Sequence, residues 1–442
     1  MLQSHLLNGR IVSTFGLRRD ERSNRQRGTP LFVSTPDGIV LDYASTHTLN
    51  PSDWVRASGP TKTAGVVVKP TPWLNLHYNK SDSFQPSGVA VGLHLQPLPD
   101  PTGSGTDYGF SLNFFGGKVV LRATRYKTVQ IDTRNGSMRT IAQRVRNLDF
   151  DSPNGNSVFN LMTLSRRWEE TRLGRPITDA EAAQVAARVT QLDIDYFTRP
   201  ETRGEQNELV SETQDVTAKG TEIELHFNPT NFWTNKLNFT EQKSIDAKLA
   251  PGAGQWIAER LPVWQSIIDP EIGRPWFTER YNNANSASQY LAANVTSQLD
   301  IATATLGKSR PQIRKYRVNY STNYRLAGVT DNALLKKFSV GGAVRWEDKG
   351  AIGYYGVQSL PAIITALDPA RPVYDKARTY FDAFLTYRTK LTPGINATFQ
   401  LNARNLQESG RLQAISALPD GTANGYRIVD PRQFILTASF DI

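Results

Sequence analysis

Strict two-residue alternation constrains this chain more than any other feature. Near the C-terminus Ile395, Ala397, Phe399, Leu401 and Ala403 alternate with Asn396, Thr398, Gln400, Asn402 and Arg404. Successive side chains of a strand point to opposite faces, so this segment is apolar on one face and polar on the other. Tyr316, Val318, Tyr320, Tyr324 and Leu326 repeat the pattern against Arg317, Asn319, Ser321, Asn323 and Arg325. The chain closes on Phe434, Leu436, Ala438, Phe440 and Ile442 against Ile435, Thr437, Ser439 and Asp441. Long strands, aromatic on one side and charged on the other, are what an antiparallel transmembrane β-barrel requires.

Composition permits that reading and removes others. No window approaches the roughly 20 apolar residues of a spanning helix, and mean hydropathy is −0.44. A barrel strand needs only about 9–11 residues with alternate positions apolar. Cysteine is absent, which excludes disulfides and thiolate metal or redox sites. The net charge of +10 comes from 51 Lys and Arg against 41 Asp and Glu. These are dispersed along the chain without a dense basic tract, so no nucleic-acid partner is expected. The segment Met1 to Arg10 has none of the marks of a secretory signal. For a membrane barrel, that omission means either a fragment of a longer precursor or a membrane reading that is wrong.

Alternation and turn signals predict about twelve strands, near 6–20, 62–70, 73–85, 107–116, 118–130, 219–229, 233–246, 314–327, 336–348, 378–391, 395–407 and 426–442. The strand at 118–130 is ambiguous, because Arg122 and Arg125 fall on opposite faces. Short links (Pro70-Thr71-Pro72, Gly116-Gly117, Asn228 to Phe232, Gly328 to Leu335, Thr392-Pro393-Gly394) alternate with long ones near 21–61, 86–106, 131–218, 247–313, 349–377 and 408–425. In an outer-membrane barrel short turns face the periplasm and long loops face outward. Helices are expected inside the loops: after the capping box Thr178-Asp179-Ala180-Glu181, around Trp256 to Trp264, and over Ser286 to Leu306.

Enzymatic constellations are weak. His5, His47, His77, His94 and His226 are scattered, and no HExxH or His-x-x-x-His pair exists for a metal. Glu222 and Glu224 share a strand face, whereas a glycosidase needs two carboxylates across a cleft. Catalytic residues, metal ligands and cofactors are therefore not expected.

Four stretches resemble the C-terminal part of a TonB-dependent outer-membrane receptor. They are Ser13-Thr14-Phe15-Gly16-Leu17-Arg18-Arg19-Asp20, the strand–turn–strand unit from Thr63 to Ser87, Lys219-Gly220-Thr221-Glu222-Ile223-Glu224, and Phe399-Gln400-Leu401-Asn402-Ala403-Arg404-Asn405-Leu406. Their order covers nearly the whole chain, so 1–442 is expected to be one unit of such a barrel. The family's barrel has about 22 strands around a plug, and nothing here resembles the plug, the energy-coupling box or the early strands. The terminal strand matches the family's assembly signal at Phe434, Leu436 and Phe440, with Ile442 in place of the usual final aromatic.

The resemblance implies a receptor for energised uptake of a scarce nutrient (an iron–siderophore complex, a cobalamin or an oligosaccharide) in the cell outer membrane. The implied partners are the lipid bilayer, the absent plug and N-terminal barrel half, a TonB-type energy-coupling protein and the small nutrient ligand. Arg317, Asn319, Asn323, Arg325, Arg345, Gln400, Asn402 and Arg404 are expected to face the lumen, either holding a plug or as simply hydrated or paired wall residues. Tyr316, Tyr324, Tyr387, Phe440 and Trp346 are placed to form interfacial girdles. Trp256, Trp264, Trp276, Tyr354 and Tyr355 in the outward loops are candidates for ligand stacking, or alternatively for small hydrophobic cores of loop helices. Two other classes stay open: a passive porin-like channel and a soluble carbohydrate-active β protein.

Overall fold

Adjacent strands of a meander pair as soon as short turns bring them together, and this chain does so from end to end. The computed structural model describes residues 1–25, 32–35, 38–41, 54–134, 136–150, 158–198, 210–282, 284–310, 312–357 and 367–441. Its main sheet has 13 strands, each hydrogen-bonded to its neighbour in chain order. They are β1 (Leu2–Leu6), β2 (Ile11–Arg25), β3 (Trp54–Thr71), β4 (Leu74–Phe84), β5 (Thr102–Phe114), β6 (Val119–Thr133), β7 (Gln214–Thr230), β8 (Trp233–Leu249), β9 (Tyr316–Arg325), β10 (Phe338–Glu347), β11 (Arg378–Thr392), β12 (Ile395–Arg404) and β13 (Gln433–Asp441). Every pairing is antiparallel. The sheet ends at β1 and β13, which do not pair with each other among the described residues. It is an open barrel wall.

The register lines up the apolar alternation across the sheet. One row runs Ile11, Val68, Leu76, Phe110, Ala123, Ile223, Phe239, Val318 and Trp346, over nine consecutive strands. The next runs Leu74, Leu112, Leu121, Leu225, Leu237, Tyr320, Val344 and Phe381. None of these side chains is buried: Leu76 is 42%, Tyr320 36% and Phe381 45% exposed. A slip of one residue would turn every one of them to the other face, so the register is strongly specified. No described helix is long and apolar enough to cross a membrane.

Short and long connections alternate as expected, which puts all long ones at one end of the sheet. The buried core lies not in the sheet but in this loop layer. There α1 (Gly136–Arg146), α2 (Leu161–Leu173), α3 (Asp179–Thr190) and α4 (Pro251–Ser266) pack with the helical segment beginning at Ala287–Leu291 around Leu148, Phe150, Leu161, Leu164, Trp256 and Trp264. Thr178 and Glu181 form the expected capping box at the start of α3.

Two strand expectations are corrected. The single strand near 6–20 is a hairpin, because Leu7, Asn8 and Gly9 all adopt positive φ and reverse the chain; the Asn-Gly pair is the strongest short hairpin signal. That makes 13 strands instead of about twelve. The strand near 426–442 breaks before Gln433: Ala423–Val429 belongs to a separate loop hairpin with Arg411–Ala417, and Pro431 lacks the N–H a continuing ladder needs. Ile442 lies outside the described residues. A second loop hairpin, Gly350–Gly356 with Leu367–Asp375, lies within the long connection near 349–377.

Candidate functional site

The polar face is built by the residues that alternate with the apolar rows. Asn319 pairs in register with Asn238 on β8 and with Arg345 on β10, and Asn238 pairs with Glu224, which pairs with Arg122. A recess of about 480 Å³ opens here, lined by Arg122, Thr124, Glu222, Glu224, Asn238, Thr240 and Asn319 among others. Glu224 is its electrostatic centre. Lys236 Nζ lies 2.6 Å from its carboxylate, His226 Nε2 2.8 Å and Arg122 3.7 Å. Glu224 is thus a partner of wall cations, while Glu222 beside it only lines the recess.

All eight residues expected to face the lumen lie on this polar side. Arg317 faces Glu347 at 3.6 Å. Arg345 donates to Asp382 through Nε at 3.1 Å and Nη2 at 3.2 Å, and to Asn405 Oδ1 at 2.8 Å. Gln400 Nε2 donates to Asn402 Oδ1 at 2.7 Å. Arg325 donates to the carbonyl of Asn231 and stacks on the Phe232 ring at the short-turn end. Arg404 is exposed. Asn323 Oδ1 is buried without a hydrogen-bond donor. The ambiguity of β6 is resolved by register: Arg122 faces Glu224 on the polar side, while Arg125 lies opposite Thr221 on the other.

The apolar side carries a polar island at Asn235. Asn235, buried between Trp233 and Leu237, accepts from Tyr320 Oη at 2.7 Å and Thr322 Oγ1 at 2.9 Å and donates to the Phe227 carbonyl. Each polar atom there is satisfied by protein. Of the expected girdle aromatics, Tyr324, Tyr387 and Phe440 lie toward the short-turn end, where Phe338, Tyr387, Phe399 and Phe440 form a chain of ring contacts at 4.8, 6.4 and 6.1 Å, while Tyr316 and Trp346 lie at the long-loop end.

The five loop aromatics do not form one site: the three tryptophans join the loop-layer core, and the two tyrosines lie in a separate hairpin. Trp256, Arg260 and Trp264 recur every fourth residue on α4 and so share one face. That face is buried, with Trp256 and Trp264 at 1% and 0% exposure. Arg260 donates to both oxygens of Asp149 at 3.2 and 2.7 Å, and Trp264 Nε1 donates to the same carboxylate at 2.9 Å. Trp276, also buried, donates to the Phe159 carbonyl at 2.8 Å. All three indoles are core residues of the loop layer. Tyr354 is buried in the hairpin Gly350–Gly356, and Tyr355 lies under the Arg371 guanidinium at 5.0 Å.

A site not legible from the sequence sits where that hairpin meets the wall. A recess of about 180 Å³ is lined by Gln312, Arg314, Arg317, Glu347, Gln413 and Arg427, among others. Arg314 and Arg378 both grip Asp375, to which Gln413 Nε2 also donates at 3.0 Å. Burial pushes the Asp375 carboxyl upward, but the two guanidiniums outweigh it and hold it below the usual carboxylate range. These residues come from five separate segments, so no local pattern marks them. Among the described residues, no group of three His, Cys, Asp or Glu is placed to hold a metal ion.

No family model matches this chain, and no curated protein does. The chain resembles solved siderophore receptors. The ferric preacinetobactin receptor of Acinetobacter baumannii is 11% identical, with a TM-score of 0.49, and the match covers 100% of this chain and 42% of that one. The ferripyoverdine receptor of the Pseudomonas aeruginosa outer membrane is 11% identical, with a TM-score of 0.48 and coverage of 99% and 37%. The ferric yersiniabactin uptake receptor of Yersinia pestis is 11% identical, with a TM-score of 0.46 and coverage of 98% and 43%. The chain therefore spans about two fifths of the length of these receptors.

Proposed function

We propose that residues 1–442 are one unit, the C-terminal part of the wall of an outer-membrane receptor barrel for energised uptake of a scarce nutrient of the siderophore–iron, cobalamin or oligosaccharide class. The observation that carries the membrane part of this reading is the unburied apolar row over nine strands. A water-soluble protein rarely leaves a contiguous apolar surface of that extent open. Lipid covers it at no cost, because every backbone group inside the sheet is already paired. The polar face then borders a wet passage, and Arg317, Asn319, Arg345, Gln400 and Asn402 contact whatever fills it. Uptake of a nutrient, and its coupling to an energy source, follow from the sequence resemblance. The recess at Arg314, Arg317 and Arg427 offers guanidiniums to an anionic group of a captured ligand.

Because the chain has no cysteine, single thiols report orientation without background. Leu225→Cys and Glu224→Cys, each in the full chain reconstituted in vesicles, are treated with a membrane-impermeant maleimide added on both sides. The expected result is labelling of the position-224 thiol and protection of the position-225 thiol. Equal labelling of both would overturn the proposal. Steady conductance of the reconstituted chain without an energy partner would instead favour the passive channel.

A further inference from the structure

The apolar face bears a ladder of like charges. Lys127 on β6 stands directly opposite Lys219 on β7, which stands directly opposite Lys243 on β8. All three share the strand parity of Ala123, Ile223 and Phe239, and therefore the outward apolar side. Neighbouring strands are about 4.8 Å apart, and like charges directly opposite destabilise a sheet. No described carboxylate is ion-paired with any of the three. Glu241, on the same face, lies 3.9 Å from Lys315, and Asp215 accepts from the Asp132 amide. Arg125 lies two residues from Lys127 on the same side and adds a fourth cation. The ladder lies toward the long-loop end. The opposite end of this face carries the aromatic chain from Phe338 to Phe440.

We propose that Lys127, Lys219 and Lys243, with Arg125, bind the phosphate of a membrane lipid at the loop-side surface of the bilayer. The inference rests on the membrane reading of the apolar face. An anion between the ammonium groups converts mutual repulsion into charge-assisted hydrogen bonds. Ala123, Ile223 and Phe239, further from the loops than the ladder, offer an apolar bed for acyl chains that run from it toward the middle of the bilayer. A lipid therefore suits the site better than a free phosphate ion.

The test uses the full chain in neutral detergent, with the thermal midpoint read against added short-chain phosphatidic acid, short-chain phosphatidylcholine or inorganic phosphate. Phosphatidic acid is expected to raise the midpoint of the parent, and neither of the other two to match it. The triple variant K127Q/K219Q/K243Q is expected to bind phosphatidic acid about a hundredfold more weakly, since each lysine near an anionic surface is worth about a factor of five. Replacing all three by Arg is expected to preserve binding. Lys219→Gln alone is expected to melt higher than the parent without lipid, because repulsion is relieved, an outcome that a purely structural lysine does not produce. Unchanged affinity in the triple Gln variant, or equal stabilisation by inorganic phosphate or phosphatidylcholine, overturns the proposal. Flotation with pure phosphatidylcholine vesicles tests the membrane reading separately, and a chain that does not float sinks both.

Discussion

Asp149 accepts from Arg260 and Trp264 in a site closed to solvent, and Arg260 is itself buried. Removing one member of such a pair leaves a charge with neither water nor partner. Asp149→Ala is therefore expected to destabilise the loop layer by about 3–5 kcal/mol, read as faster amide exchange in α1 and α4 with the sheet unchanged. The double change Asp149→Leu with Arg260→Met should recover most of the loss, because an apolar pair of similar volume removes the desolvation cost. Equal losses in the single and double variants would show that packing rather than the ion pair holds the layer. Glu181 offers a pH test at the same scale. Hydrogen bonds from Arg175 and from the Thr178 amide and hydroxyl lower its carboxyl from 4.5 to about 2. A depressed carboxyl stabilises the fold above its unfolded pKa and loses that contribution as pH falls through the folded one. Amide protection in the first turn of α3 should thus decline between about pH 4.5 and pH 2, and Glu181→Gln should flatten that dependence.

The strand and its neighbours form the next scale, where face matters more than residue type. Leu225 lies mid-row on the apolar side, and Glu224 beside it on the polar side. An arginine at Leu225 should cost about 2–4 kcal/mol of folding stability in a bilayer near its midplane, measured by denaturant titration in vesicles. Glu224→Gln, which only loosens partly exposed ion pairs, should cost less than about 1 kcal/mol. Comparable costs at the two positions would contradict the assignment of faces. These faces were legible in the sequence because a period of two survives any error in strand ends, as Tyr316 to Arg325 and Ile395 to Arg404 demonstrate. Strand ends were less legible. Leu7-Asn8-Gly9 carries a hairpin signal inside a longer alternating stretch, and Pro431 marks a break that the alternation from Tyr426 to Phe440 conceals. The helix Leu161–Leu173 had a readable start and stop in Asn160 and Gly174, as clear in kind as the capping box at Thr178. The arginine recess had no such signal, because Arg314, Arg317 and Arg427 converge only through strand pairing and loop hairpins.

At the scale of the whole molecule the wall has two open edges, and their chemistry decides what the chain needs. In β13 every residue is exposed, and β1 presents one unpaired side to solvent beside β2. Unpaired backbone donors and acceptors at a sheet edge seek another strand, and in hydrocarbon each one left alone costs several kcal/mol. Two outcomes satisfy the edges: they meet each other in a smaller closed barrel, or they pair with strands from another polypeptide. The interior pairing of β6 with β5 and β7 is indifferent to that choice. Hydrogen exchange of the full chain in detergent should therefore show fast amides in Gln433–Asp441 and Leu2–Leu6 against slow ones in Val119–Thr133. Adding a polypeptide that carries complementary barrel strands should slow both edges together and leave the β6 rates unchanged. Slow exchange at both edges in the isolated chain, together with a compact heat-modifiable monomer on gels, would mean that β1 and β13 have closed on each other. In that case the chain is a small barrel in its own right and requires no second half.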